Sequence, residues 1–162
     1  MIYDAIYYLL SSVKQAFVIW LLIEGIISIY HKKFVLKRGV IDFVFLLWLI
    51  TMLHIVGMYD LHLTFGENAT RMEPKILPII GTAGGLDVLN ILLFLPFGFL
   101  IPLVLNRITW TYKKIVIITI PIVFTIEVLQ YFGGRLFDID DVIANVLGAL
   151  LGYFLHLKYV EK

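Results

Sequence analysis

Long apolar runs alternate with short polar breaks along this chain. Residues 41–58, 88–105 and 115–126 show no polar face at a helical repeat, although a helix packed at a protein–water surface carries one. About 20 apolar residues at 1.5 Å rise cover the roughly 30 Å hydrocarbon layer of a bilayer. The pattern therefore predicts membrane-crossing helices at about 5–30, 40–58, 88–105, 114–131 and 140–158. The first is weakened by Lys14, Gln15 and Glu24; Lys14 is expected to snorkel toward one surface and Glu24 toward the other. The stretch 59–87 is the only sizeable polar loop, and it carries the glycine-rich run Gly81-Thr82-Ala83-Gly84-Gly85. The expected fold is all-α: a polytopic transmembrane bundle forming one domain over residues 1–162.

Composition sharpens this picture. Of the 162 residues 61% are apolar and 15% charged, against about 45–50% and about 25% in soluble domains. The absence of cysteine excludes disulfides, thiolate metal sites and a cysteine nucleophile. A net charge of +1 with no basic stripe gives no reason to expect a nucleic-acid partner. The start lacks a basic region before its apolar run, and Asp4 is the first charge, so the first segment reads as a retained span and not a cleaved signal.

Lysine and arginine set the orientation. Lys32, Lys33, Lys37 and Arg38 follow the first span, Arg107, Lys113 and Lys114 follow the third, and Lys158 and Lys162 follow the fifth. The opposite side holds only Arg71, Lys75 and Arg135. The N-terminus is therefore expected outside and the C-terminus in the cytoplasm. Tyr59, Trp110, Tyr131 and Tyr159 near span ends partly fit interfacial belts, but aromatics are 15% of the chain and discriminate weakly.

On this topology the polar groups in or beside the last three spans share the outer layer. Asn90 lies near the start of the third span. Glu127 and Gln130 sit in the last turns of the fourth, three residues apart on one face. Arg135 occupies the outer turn, and Asp138, Asp140 and Asp141 lead into the fifth. Asp141, Asn145, Gly148 and Gly152 follow a single helical stripe. Ala144, Gly148 and Gly152 form a small-residue series that admits a close neighbouring helix. Polar groups in hydrocarbon are costly and mark functional sites by default.

Each feature has a structural alternative. Asp138 suits an N-cap, and Asp140 and Asp141 suit the positive end of a helix dipole. Pro96, Gly98 and Pro121 suit either a kink or a locally unwound helix. Glu127, near a helix C-terminus, is disfavoured by the dipole and needs a compensating Arg135, a proton or a cation. The functional reading makes Glu127 and Asp141 acid/base groups and Arg135 an anion-binding fork. Asn90, Gln130, Asp138 and Asn145 would help to bind substrate and hold these groups. Oxygen ligands without cysteine would suit Mg²⁺ or Ca²⁺ as a minority alternative to a cofactor-free site. His54 and His62 are candidates to join the cluster, whereas His156 lies near the opposite end of its span. No phosphate-binding glycine loop, Ser–His–Asp order or metalloprotease helix motif is present.

Three motifs combine distinctively: Asn90-Ile91-Leu92-Leu93-Phe94-Leu95-Pro96-Phe97-Gly98, Glu127-Val128-Leu129-Gln130, and the run from Arg135 through Asp138, Asp140, Asp141 and Asn145 to Gly148. Together they closely resemble the VanZ-like family. The resemblance covers the last three spans well and the first two only generically. It implies a multi-pass bacterial plasma-membrane protein linked to resistance against glycopeptide antibiotics, teicoplanin above all. It carries no biochemical mechanism with it. The partners expected are the bilayer and a lipid-linked cell-wall precursor or lipoglycopeptide. A non-enzymatic scaffold with the polar cluster as interhelical glue is the alternative. A transporter ranks third, because its site belongs near the midplane and five spans would need to form a homo-oligomer.

Overall fold

The computed structural model describes residues 2–31, 36–59, 61–63 and 87–160. The basic residues Lys32 and Lys33, most of the 59–87 stretch with its glycine-rich run, and Lys162 lie outside the described residues. Among the described residues five helices follow one another: α1 (Ile2–His31), α2 (Leu36–Ile55), α3 (Val88–Val104), α4 (Tyr112–Phe132) and α5 (Ile139–Tyr159). Four contain segments long and apolar enough to cross a membrane: Ile6–Ile27, Arg38–Ile55, Tyr112–Phe132 and Ile139–Tyr159. α3 is equally apolar but has 17 residues, about 26 Å of helix. It would span only a locally thinned layer or with help from flanking residues.

The fold is the all-helical bundle expected from the sequence, and the described residues divide into two compact units, Met1–Val56 and Gly57–Lys162. The first is an antiparallel pair of α1 and α2. Its seam on α1 repeats every four residues: Ser12 and Ala16 are fully buried, and Glu24 is also buried. Between them Trp20 donates its indole N–H to the Gly39 carbonyl at 2.7 Å and meets Phe43 edge-on at 5.9 Å. Nearer the other end Tyr8 stacks on His54 at 5.6 Å. The remaining faces of α1 expose Leu10, Phe17, Val18, Leu22 and Ile26, the surface a helix presents to hydrocarbon, not to water. Glu24 departs from the snorkelling expectation. It is 8% exposed, and its Oε1 has no hydrogen-bond partner.

In the second unit α5 is the central helix, packed along α3 on one side and against α4 on the other. Its glycines decide the α3 contact. A Cβ on Gly148 would overlap the Ile91 carbonyl and lie 2.9 Å from its carbon. One on Gly152 would overlap the Leu95 carbonyl and lie 2.9 Å from the Phe99 nitrogen. In the reverse sense, Gly98 of α3 receives the Ala149 carbonyl. His156 continues the row, its Nδ1 at 3.1 Å from the Phe99 oxygen. Matching steps of four on both helices (91, 95, 99 against 148, 152, 156) make α3 and α5 parallel. Van der Waals contact between backbones replaces interdigitated side chains here, as small residues allow in membranes.

α3 runs as one helix through Pro96 and Pro102, and α4 through Pro121. The unwound-helix alternative at these prolines is therefore not adopted. Each proline only removes one hydrogen bond of the ladder; Thr125, one turn beyond Pro121, donates its hydroxyl to the Pro121 carbonyl at 2.7 Å.

Candidate functional site

The site forms where α4 ends and α5 begins. α4 stops at a Gly133-Gly134 pair. Gly134 adopts φ +85°, the left-handed conformation glycine enters without steric cost. The Gly134 N–H donates to the Tyr131 carbonyl at 3.1 Å, and the Arg135 N–H reaches back to the Gln130 carbonyl at 3.0 Å. This paired closure is a Schellman motif, which satisfies the last carbonyls of a helix. It fixes the backbone of Arg135 within one turn of Gln130.

The chain then enters α5 through Asp138, an N-cap with extended backbone whose carboxylate accepts the Asp140 N–H at 2.9 Å. The backbone N–H of Asp138 donates to Glu127 Oε2 at 3.4 Å. The carboxyl group of α4 is thus bonded to the cap of the next helix. Phe137 anchors the same turn edge-on against Phe124 at 5.7 Å. Asp138→Ala is expected to cost about 1 kcal/mol through loss of the cap. Asp138→Asn should restore most of it; thermal unfolding of the purified protein in detergent measures both.

α3 contributes from the side. Asp87 caps its N-terminus, accepting the Leu89 N–H at 2.8 Å. The Asn90 side chain hydrogen-bonds the Asp141 carboxyl, in line with the Gly98–Ala149 contact two turns further along both helices. Glu127 is within electrostatic reach of Asp141, Arg135 and Asp138, and Asp141 of Asp138, Asp87 and Arg135. Glu127, Gln130, Asp140 and Asn145 are buried, Asn90, Asp138 and Asp141 partly so, and Arg135 is exposed. Asn145 Oδ1 is buried and has no hydrogen-bond partner among the described residues.

Residues from α3, α4, the turn and α5 therefore meet at one end of this unit. Among them are all seven sequence-derived site residues: Asn90, Glu127, Gln130, Arg135, Asp138, Asp141 and Asn145. Asp87 stands outside that set. Its place immediately before an apolar run, an N-cap pattern, is the signal that marks it. Of the histidines, His54 stacks on Tyr8 within the first unit, and His62 is exposed. His156 lies 15 residues along α5 from Asp141, about 22 Å of helix, and bonds α3 there. Among the described residues no group of three or more His, Cys, Asp or Glu side chains gathers closely enough to hold a metal ion.

Chemically, the arrangement offers a buried layer rich in carboxylates and amides, with a guanidinium at its exposed edge. Carboxylates can move protons or accept hydrogen bonds, and the planar Arg fork suits phosphate or carboxylate. Neither a curated protein nor a solved structure matches this chain. A family model described as VanZ/LLP1 matches residues 16–159, from α1 through the last turn of α5. That match covers nearly the whole chain and includes every residue of the polar layer, so the chain belongs to the VanZ/LLP1 family.

Proposed function

We propose that this chain is a multi-pass bacterial plasma-membrane protein that lowers susceptibility to glycopeptide and lipoglycopeptide antibiotics, teicoplanin above all. Its working part is the polar end of the α3–α4–α5 unit, facing outward, with the C-terminus in the cytoplasm. There it binds or modifies a lipid-linked envelope precursor or a membrane-anchored drug. Arg135 meets the anionic group of that ligand. Glu127 and Asp141 handle protons or a cation, and Asn90, Gln130, Asp138 and Asn145 hold them in place. The observation that carries this reading is the Glu127–Asp138 hydrogen bond beside the Asn90–Asp141 pair. Together they keep two carboxyls in one layer across three helices.

The same bonds favour a second reading, a non-enzymatic scaffold in which the layer joins helices. Such bonds contribute only about 0.6–2 kcal/mol each in membranes, yet several of them can select one arrangement. Arg135→Ala separates the two readings. Arg135 is exposed, and exposed charge pairs contribute about 1 kcal/mol or less, so its truncation should change heat stability and membrane abundance little. Under the binding reading it reduces teicoplanin protection at least fourfold in an expressing host, on the order of 1 kcal/mol of lost recognition. Undiminished protection would remove Arg135 from the mechanism. Orientation is checked with Arg135→Cys, the sole thiol in a cysteine-free chain. An impermeant maleimide should label it in intact cells, and labelling only after lysis would place the site in the cytoplasm and defeat the proposal.

A further inference from the structure

The inner part of the site is rich in hydrogen-bond acceptors. Glu127, Asp140 and Asn145 are each at least 95% buried, and Asp141 lies one turn from Asn145 on the same face of α5. Among the described residues Asn145 Oδ1 meets no donor, and a buried acceptor left unpaired costs about 1–3 kcal/mol. Among the charges acting on Glu127 and Asp141, Asp87, Asp138 and the two carboxyls themselves outnumber the single guanidinium. The missing partner should therefore carry several donors and a positive charge.

Depth and spacing narrow the choice. Glu127 lies five residues before the end of α4, about 8 Å along the axis, within reach of a lipid-headgroup layer. Asp141 and Asn145 stand one turn apart on one face of α5, where side chains can converge on one group. Among the described residues no three carboxylate or imidazole side chains gather closely enough to hold a metal ion. An ammonium, with three N–H donors and a positive charge, needs only a few acceptors around it.

We propose that Glu127, Asp141 and Asn145 form a receptor for the primary ammonium group of an envelope amphiphile. The assignment rests on the reading of this end as an outward-facing binding site and names the chemistry it takes. Two sources present that chemistry, the headgroup of an aminolipid and the free amine of a glycopeptide.

The test uses the full chain purified in detergent and observed by native mass spectrometry. One arm offers an equimolar mixture of phosphatidylethanolamine and phosphatidylcholine with identical acyl chains. The other offers teicoplanin with its amine free or N-acetylated. About tenfold preferential retention of the member with a primary ammonium group in either arm is expected, the scale of one charge-assisted hydrogen bond. The arm in which it occurs identifies the source. Glu127→Gln and Asn145→Leu should bring the ratio close to one. Asn145→Asp, which keeps the acceptor, should preserve it even if the leucine variant fails to fold. Ratios near one in both arms for the unaltered chain, or retention set by added Mg²⁺ without discrimination between paired ligands, would overturn the assignment. No selectivity alongside full antibiotic protection in cells sinks the ammonium ligand alone. Selectivity without protection sinks the antibiotic reading alone.

Discussion

Gly148→Ala or Gly152→Ala is expected to unfold or separate the α3–α5 pair. The obstruction in each case is backbone: the Ile91 carbonyl for Gly148, and the Leu95 carbonyl and Phe99 nitrogen for Gly152. A flexible side chain could rotate aside, but a helix backbone cannot. Ordinary carbon–oxygen contacts on helix interfaces lie at about 3.3–3.6 Å, so the two helices would have to move apart along the whole seam. Overpacking a rigid interior costs about 1–3 kcal/mol and occasionally more, and the backbone collision puts these variants at the upper end. Because α5 also carries Asp141 and Asn145, a shifted seam would displace the polar layer too. Gly25→Ala is the control, since nothing lies within 4 Å of its added carbon. It should unfold at the unaltered temperature or slightly above, as alanine is the better helix former. Heating each variant in detergent and following the monodisperse fraction by size exclusion gives the comparison. Equal behaviour of the three would mean that α3 and α5 are not in contact at these positions.

Under the proposed binding role, Glu127→Gln is expected to return teicoplanin susceptibility to that of cells lacking the protein, with membrane abundance and heat stability unchanged. The amide has the shape of the carboxylate and keeps an oxygen to accept the Asp138 N–H. The bond between α4 and the α5 cap therefore survives, while the charge and the proton-transfer capacity disappear. Glu127→Ala should differ, leaving the Asp138 N–H without its acceptor and reducing folded protein as well as protection. A glutamine variant that protects normally would show that only the hydrogen bond matters and would favour the scaffold reading. A glutamine variant lost from the membrane would show that the charge is required for folding. The pair thus separates chemistry from interhelical support, which Asp138 variants alone cannot do because their effect runs through the cap.

Much of this architecture is written locally. The uninterrupted apolar runs mark the helices within a few residues. α2 includes residues ahead of the apolar run, from Leu36; Arg38 in its first turn pairs with Asp42 one turn on, at 2.8 Å. Gly133-Gly134 before Arg135, and an aspartate two residues before a second one, spell out a helix stop and a helix start. That syntax makes the turn legible, and with it the proximity of Glu127 to Asp138. Asn145 is legible in position but not in state: the stripe places it below Asp141, and only the packed unit leaves its oxygen without a donor. Glu24 shows the opposite case. A glutamate near a span end reads as snorkelling, yet it continues the Ser12–Ala16 stripe, and the α1–α2 seam buries it.

Local signals in the residues mark five helices within a few positions, four of them long and apolar enough to cross a membrane, and show which polar residues share a helix face. These follow from hydropathy, helical periodicity and end-capping chemistry, all of which act within a few neighbouring residues. The central place of α5 in the second unit, the parallel run of α3 along its glycine seam, and the reach of Asn90 to Asp141 emerge from packing alone. Those choices depend on how closely two backbones can approach across residues distant in the chain. The allowed distance is set by the side chains of both helices together.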